Sequence, residues 1–126
     1  MAGQRQFGKY LRELRLNAGF GLRAFAETVG LKPSNLSRIE TGRMAPPTSG
    51  ERIAEIAQSL GLEEDSAEFK KLNDLAAQAR PGTVPPDVED YAAQQPGVPL
   101  LLRTAKGKQL DEAEFRRLAE YIEKHF

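Results

Sequence analysis

Ser34, Asn35, Ser37 and Arg38 crowd hydrogen-bonding side chains into one short stretch, at a spacing that sets them on the outward side of a helix. Leu36 and Ile39, three residues apart, take the inward side, so the polar four must face away from the core. Pro33 pre-sets the first turn of that helix, where its missing N–H costs nothing. A short helix with an apolar back and a polar, hydrogen-bonding front suits a probe of a DNA major groove. Rival chemistries find no residues. The chain has no phosphate-cradling glycine loop and no Ser/His/Asp arrangement, so enzyme function is not expected. His125, the only histidine, is penultimate, where chains fray, and reads as a terminal residue rather than a ligand or catalyst. Glu63-Glu64-Asp65 precedes a helical stretch, where negative charge favours the helix dipole, and no metal or cofactor is expected.

A probe helix needs a scaffold, and the flanking sequence supplies one. Phe7, Leu11 and Leu14 fall at i, i+4 and i+7 in a helix over Phe7–Asn17, which Gly19 ends. Leu22, Phe25, Ala26 and Val29 line one face of a second helix, Leu22–Val29, with Gly21 as a permissible N-cap. Gly30 can take the left-handed conformation that turns the chain sharply into the Pro33–Glu40 helix, which Thr41-Gly42 closes. Met44-Ala45-Pro46-Pro47 is an extended connector. Thr48 and Glu51 have capping-box spacing and open a fourth helix, with Ile53, Ile56, Ala57 and Leu60 inward and Gly61 at its end. A fifth, about Glu64 to Ala79, presents Phe69, Leu72, Ala76 and Ala79. No strand pattern and no internal repeat is legible.

Composition changes at Arg80-Pro81-Gly82-Thr83-Val84-Pro85-Pro86, a linker by its prolines. Short helices near Asp87–Ala93 and Pro99–Thr104, a Lys106-Gly107-Lys108 turn and a last helix follow. Asp111 caps that helix, Glu114 completes the box, and Phe115, Leu118, Ala119 and Ile122 form its apolar stripe. The expected organisation is a DNA-binding part over 1–79, a linker over 80–86 and a helical dimerisation or sensor segment over 87–126.

The formal net charge is zero, but its distribution is uneven. Arg5, Lys9, Arg12, Arg15, Arg23, Lys32, Arg38, Arg43 and Arg52 stand against Glu13, Glu27, Glu40, Glu51 and Glu55 in residues 1–62. The first half thus carries a surplus of four positive charges and the second a matching negative surplus. A basic binding module joined to an acidic partner-facing segment fits this, and so does chance scatter; the motif decides. There is no cysteine, hence neither a disulfide framework nor a thiolate metal site. The longest apolar run, about Leu100-Leu101-Leu102, is far short of a membrane span, and Met1-Ala2-Gly3-Gln4-Arg5 lacks the apolar stretch of a signal peptide. A cytoplasmic protein with no membrane partner is expected.

From about Phe7 to Leu62, roughly half of the chain, the sequence resembles the Cro/phage-repressor (XRE-type) helix-turn-helix family. The likeness rests on Leu11-Arg12-Glu13-Leu14-Arg15, the Phe25-Ala26-Glu27 step, Gly30, and Leu36-Ser37-Arg38-Ile39-Glu40-Thr41-Gly42 with prolines following. It implies an all-α, five-helix lambda-repressor-like DNA-binding domain, followed here by a short helical extension. It also implies a sequence-specific transcriptional regulator, most simply a repressor, that binds double-stranded DNA as a homodimer. Arg15 and Glu40 occupy the places of a structural ion pair between the first and third helices. Ser34, Asn35 and Arg38 fall where family members read bases: Arg38 can fork onto guanine O6 and N7, Asn35 onto adenine N6 and N7. Arg23, Lys32, Ser37 and Arg43 fall where phosphates are contacted.

Two positions depart from the pattern. Leu22 stands where glutamine is common, so either Arg23 compensates or anchoring there is weaker. Lys32 replaces the usual Ser/Thr cap, forgoing a capping bond worth about 1 kcal/mol. Arg12, Arg15 and Arg23 also fit the solvated face of ordinary helices, which is the preferred reading for Arg12. The tail, a proline-rich linker and short helices ending in an Arg/Leu/Phe-bearing one, resembles regulators paired with ImmA/IrrE-type metallopeptidases. That opens an alternative: an antitoxin or peptidase-controlled regulator whose C-terminal segment binds a toxin or metallopeptidase.

Overall fold

A computed structural model describes residues 2–126, and among them every regular element is helical. The helices are α1 (Ala2–Asn17), α2 (Leu22–Thr28), α3 (Pro33–Glu40), α4 (Gly50–Ser59), α5 (Ala67–Gln78), α6 (Pro86–Gln94), α7 (Gly97–Gly107) and α8 (Glu112–His125). Contacts group the chain into two compact units that divide between Asp90 and Tyr91.

In the first unit the apolar stripes of α1 to α5 close on one core. Phe7, Leu11, Phe25, Leu36, Ile53 and Leu72 are completely buried in it, with Ala26, Val29, Ile39, Ile56 and Leu60 around them. Every inward residue expected on α4 is buried. One cap and one helix start differ from the sequence reading. Ser49, not Thr48, caps α4: its hydroxyl accepts the Arg52 N–H at 3.3 Å, and since Arg52 stands at that position no capping box forms. Ser66 caps α5 by accepting the Phe69 N–H at 3.1 Å, so the helix starts after the acidic triplet rather than within it. Helix α1 begins at Ala2, well before Phe7. Its first turn contains Gly3, which lies so close to the end of α5 that a Cβ there would stand 2.7 Å from the Gln78 carbonyl oxygen. Asn73, fully buried on α5, donates Nδ2 to the Phe69 carbonyl at 3.1 Å. The proline-rich stretch ends in a buried Pro86, whose carbonyl carbon would lie 3.0 Å from a Cβ on Gly50, and the first unit runs on to Asp90.

At Gly8 the backbone of α1 passes close over the end of α3. A Cβ on Gly8 would strike the carbonyl oxygen of Ile39 and stand 2.6 Å from that of Glu40. Alanine ordinarily favours a helix interior over glycine by about 1 kcal/mol. Here the sign should reverse, because the obstructing atoms are backbone and cannot rotate away. Gly8→Ala is expected to cost about 1–3 kcal/mol, read as a lowered midpoint in urea. An unchanged or raised midpoint would show that α1 can move off α3.

In the second unit, Tyr91–Phe126, α7 and α8 are joined by a short turn. Gly107 is the last residue of α7, and it is Gln109 that adopts the left-handed conformation (φ 51°), its N–H bonding the Lys106 carbonyl at 3.0 Å. The expected turn therefore falls slightly later. Asp111 caps α8 as expected: its carboxylate accepts the Glu114 N–H at 2.9 Å while Glu114 accepts the Asp111 N–H at 3.1 Å. Ala105 is buried, but Leu100, Leu101, Leu102, Phe115, Tyr121 and Ile122 are exposed.

Candidate nucleic-acid interface

Helices α2 and α3 are set by a four-residue turn whose bonds are local. Gly30, at φ 72°, lets its own N–H reach the Glu27 carbonyl (3.2 Å) and the Leu31 N–H reach that of Ala26 (2.8 Å). Lys32 precedes Pro33 in extended conformation, and its ammonium, which has no acceptor, makes no cap bond to the helix N–H groups. At the far end Gly42, at φ 77°, repeats the device, with the Arg43 N–H on the Arg38 carbonyl at 2.8 Å. The Thr41 hydroxyl donates to the Ser37 carbonyl at 2.9 Å.

One buried ion pair fastens α3 to the scaffold. Arg15 Nε donates to Glu40 Oε2 at 2.7 Å and Nη2 to Oε1 at 2.9 Å, while Nη1 donates to the Phe20 carbonyl at 2.9 Å. Both side chains are almost wholly out of solvent. The hydrogen bonds that Arg15 donates to the Glu40 carboxylate raise its pKa above the ordinary value, against the opposing effect of burial, so the guanidinium stays charged. The pair is worth most as a constraint: it joins the C-terminal ends of α1 and α3 at a fixed angle.

The remaining polar residues of α3 and its flanks point outward. Lys32, Ser34, Arg38 and Arg43 are exposed and Asn35 and Ser37 half-buried, as is Leu22, with exposed Arg23 on α2. Among the described residues no carboxylate lies within salt-bridge reach of Arg23, Lys32, Arg38 or Arg43. Glu40 is the only acid between Lys32 and Met44, and Arg15 occupies it. The result is a hydrogen-bonding helix face with uncompensated positive charge, the combination that phosphates and base edges attract. Carboxylates of the first unit gather elsewhere, around a cavity of about 370 Å³ lined by Glu51, Glu64, Asp65, Asp87 and Asp90. Among the described residues no group of acids and histidine is arranged to hold a metal ion, and no helix is long and apolar enough to cross a membrane.

Two basic residues of α1 also reach this region: Arg5, which the sequence pattern does not single out, and Arg12, which it assigns to a solvated helix face. Arg5 lies against the exit of α3: a Cβ on Gly42 would be 2.6 Å from its Cγ and 3.0 Å from its Cα. Arg12 lines a cavity of about 410 Å³ together with Arg15, Leu22, Ser37, Glu40 and Thr41. The signal available in sequence was the spacing Arg5, Gly8, Arg12, Arg15, which is one helical face, with glycine marking where α3 crosses it.

A family model described as a helix-turn-helix domain matches residues 6–69, half of the chain, and the chain belongs to that family. This is a family of DNA-binding regulators and is typically non-enzymatic. No curated protein and no solved structure matches the chain.

Proposed function

We propose that the protein is a sequence-specific regulator of the Cro/phage-repressor type, acting as a repressor by lodging α3 in the major groove of its operator. The observation that carries this is a rigidly braced helix whose outer face is polar and cationic while its one carboxylate is consumed in the Arg15–Glu40 pair. In this reading Ser34, Asn35 and Arg38 touch base edges, and Arg23, Lys32, Ser37 and Arg43 touch phosphates and fix the register. Two copies joined through the tail would read half-sites about 34–36 Å apart. A second reading, control through a protein partner such as a toxin or peptidase, is favoured by the apolar side chains the tail leaves exposed.

Selection of duplexes from a random pool, followed by binding of point variants, tests the division of roles. Arg38→Ala is expected to cost about 1–3 kcal/mol and to relax the preference at one position in each half-site. Arg43→Ala is expected to weaken binding to every sequence alike and to reduce the slope of log affinity against log salt by about one. Identical profiles for the two variants would overturn the assignment of base and phosphate contacts.

A further inference from the structure

We infer that the cavity of about 410 Å³ between α1, α2 and α3 is an additional anchor for the DNA backbone, with Arg12 as its cation and Ser37 as its neutral donor. The inference rests on the DNA-binding reading and adds to it a residue whose sequence context suggests only a solvated helix face. Arg12 is exposed, and among the described residues no carboxylate lies within salt-bridge reach of it. Its position is nevertheless fixed. On the same face of α1, Arg5 lies against Gly42, Gly8 sits under the carbonyls of Ile39 and Glu40, and Arg15 holds Glu40. The stretch of α1 that carries Arg12 is thus clamped to α3 on both sides.

The other walls suit an anion. Glu40 is the cavity's only carboxylate, and two hydrogen bonds from Arg15 neutralise it in a buried pair. Those bonds and the one to Phe20 use three of the five guanidinium N–H groups of Arg15, leaving donors unassigned. The Thr41 hydroxyl gives its proton to the Ser37 carbonyl at 2.9 Å, whereas the Ser37 hydroxyl has no protein partner among the described residues and keeps its proton for a ligand. A guanidinium fork with one hydroxyl matches the two free oxygens of a phosphodiester. Ser37 places the cavity on the same helix that carries Arg38, so a duplex seated on α3 brings its backbone to this wall.

The test uses the full-length protein, a duplex selected by the wild type, and an unrelated duplex of equal length. Arg12→Gln is expected to melt like the wild type, because its side chain makes no hydrogen bond or ion pair among the described residues, yet to lose about one unit of salt slope on both duplexes. One fewer counterion released is about an eightfold loss of affinity at 0.1 M salt relative to 1 M. Base preference should not change. Single methylphosphonate substitutions, scanned along the selected duplex, should reveal a position that weakens the wild type and leaves Arg12→Gln unaffected. Lys70→Gln, removing an exposed cation of α5, should keep the wild-type slope. An unchanged slope in Arg12→Gln, or no such silent position, overturns the inference. If the wild type itself shows no salt-dependent DNA binding, the underlying reading has failed; if it binds and Arg38→Ala relaxes specificity, only the anchor has.

Discussion

Glu40→Ala is expected to lower the unfolding free energy by about 3–5 kcal/mol, because it leaves the Arg15 guanidinium buried with one carbonyl partner instead of three acceptor contacts. For a unit of this size the melting temperature should fall by at least about 12 °C. DNA binding should be lost with it, since α3 would no longer be held at its angle to α1. Replacing both partners by apolar residues of similar volume should recover much of the stability, because no isolated charge then remains in the interior. Ser34→Ala offers the contrast: Ser34 is exposed and makes no recorded bond, so only DNA binding should suffer. A Glu40→Ala protein that melts like the wild type while failing to bind DNA would make Glu40 an interface residue and not a brace.

The helical periods of the first unit were legible because each helix presents one apolar stripe to one core. Phe7 and Leu11, Phe25 and Val29, Leu36 and Ile39, and Ile53 and Ile56 are all buried as their spacing requires. Starts were harder to place than stops. A glycine that must take positive φ announces a helix end, as Gly30 and Gly42 do, whereas adjacent hydroxyl residues compete for a cap, and Ser49 takes the place that the Thr48–Glu51 spacing assigns to Thr48. The positive face around α3 could be read from residue types on that helix, on its two flanks and at the start of α2. Arg5 and Arg12 could not, because their relevance depends on a crossing between α1 and α3 that only Gly8 hints at. Asn73 shows a further limit: a polar residue on an inward position breaks the apolar pattern, and of its buried amide only Nδ2 is bonded, to the Phe69 carbonyl, while Oδ1 has no partner among the described residues.

The tail carries the second large effect. Phe115 and Ile122 lie two turns apart on one face of α8, 45% and 46% exposed, and Leu100 to Leu102 on α7 are as open to solvent. Apolar side chains left open on neighbouring helices mark an interaction surface, and in the dimeric reading the cover is the same segment of a second copy. Phe115→Glu combined with Ile122→Glu should therefore abolish the dimer in sedimentation. Helix α8 itself should persist, because the Asp111–Glu114 capping box lies outside the altered stripe. Linking two reading heads raises affinity for a two-half-site operator through effective concentration, by about 10²–10⁴ over a single head. The double variant should lose that factor, keep the wild-type affinity for an isolated half-site, and prefer the same bases. A wild type that sediments as a monomer at micromolar concentration, both free and on DNA, would remove the dimer and leave the exposed stripe to a different protein. A double variant that loses half-site affinity as well would mean that the tail supports the reading head directly.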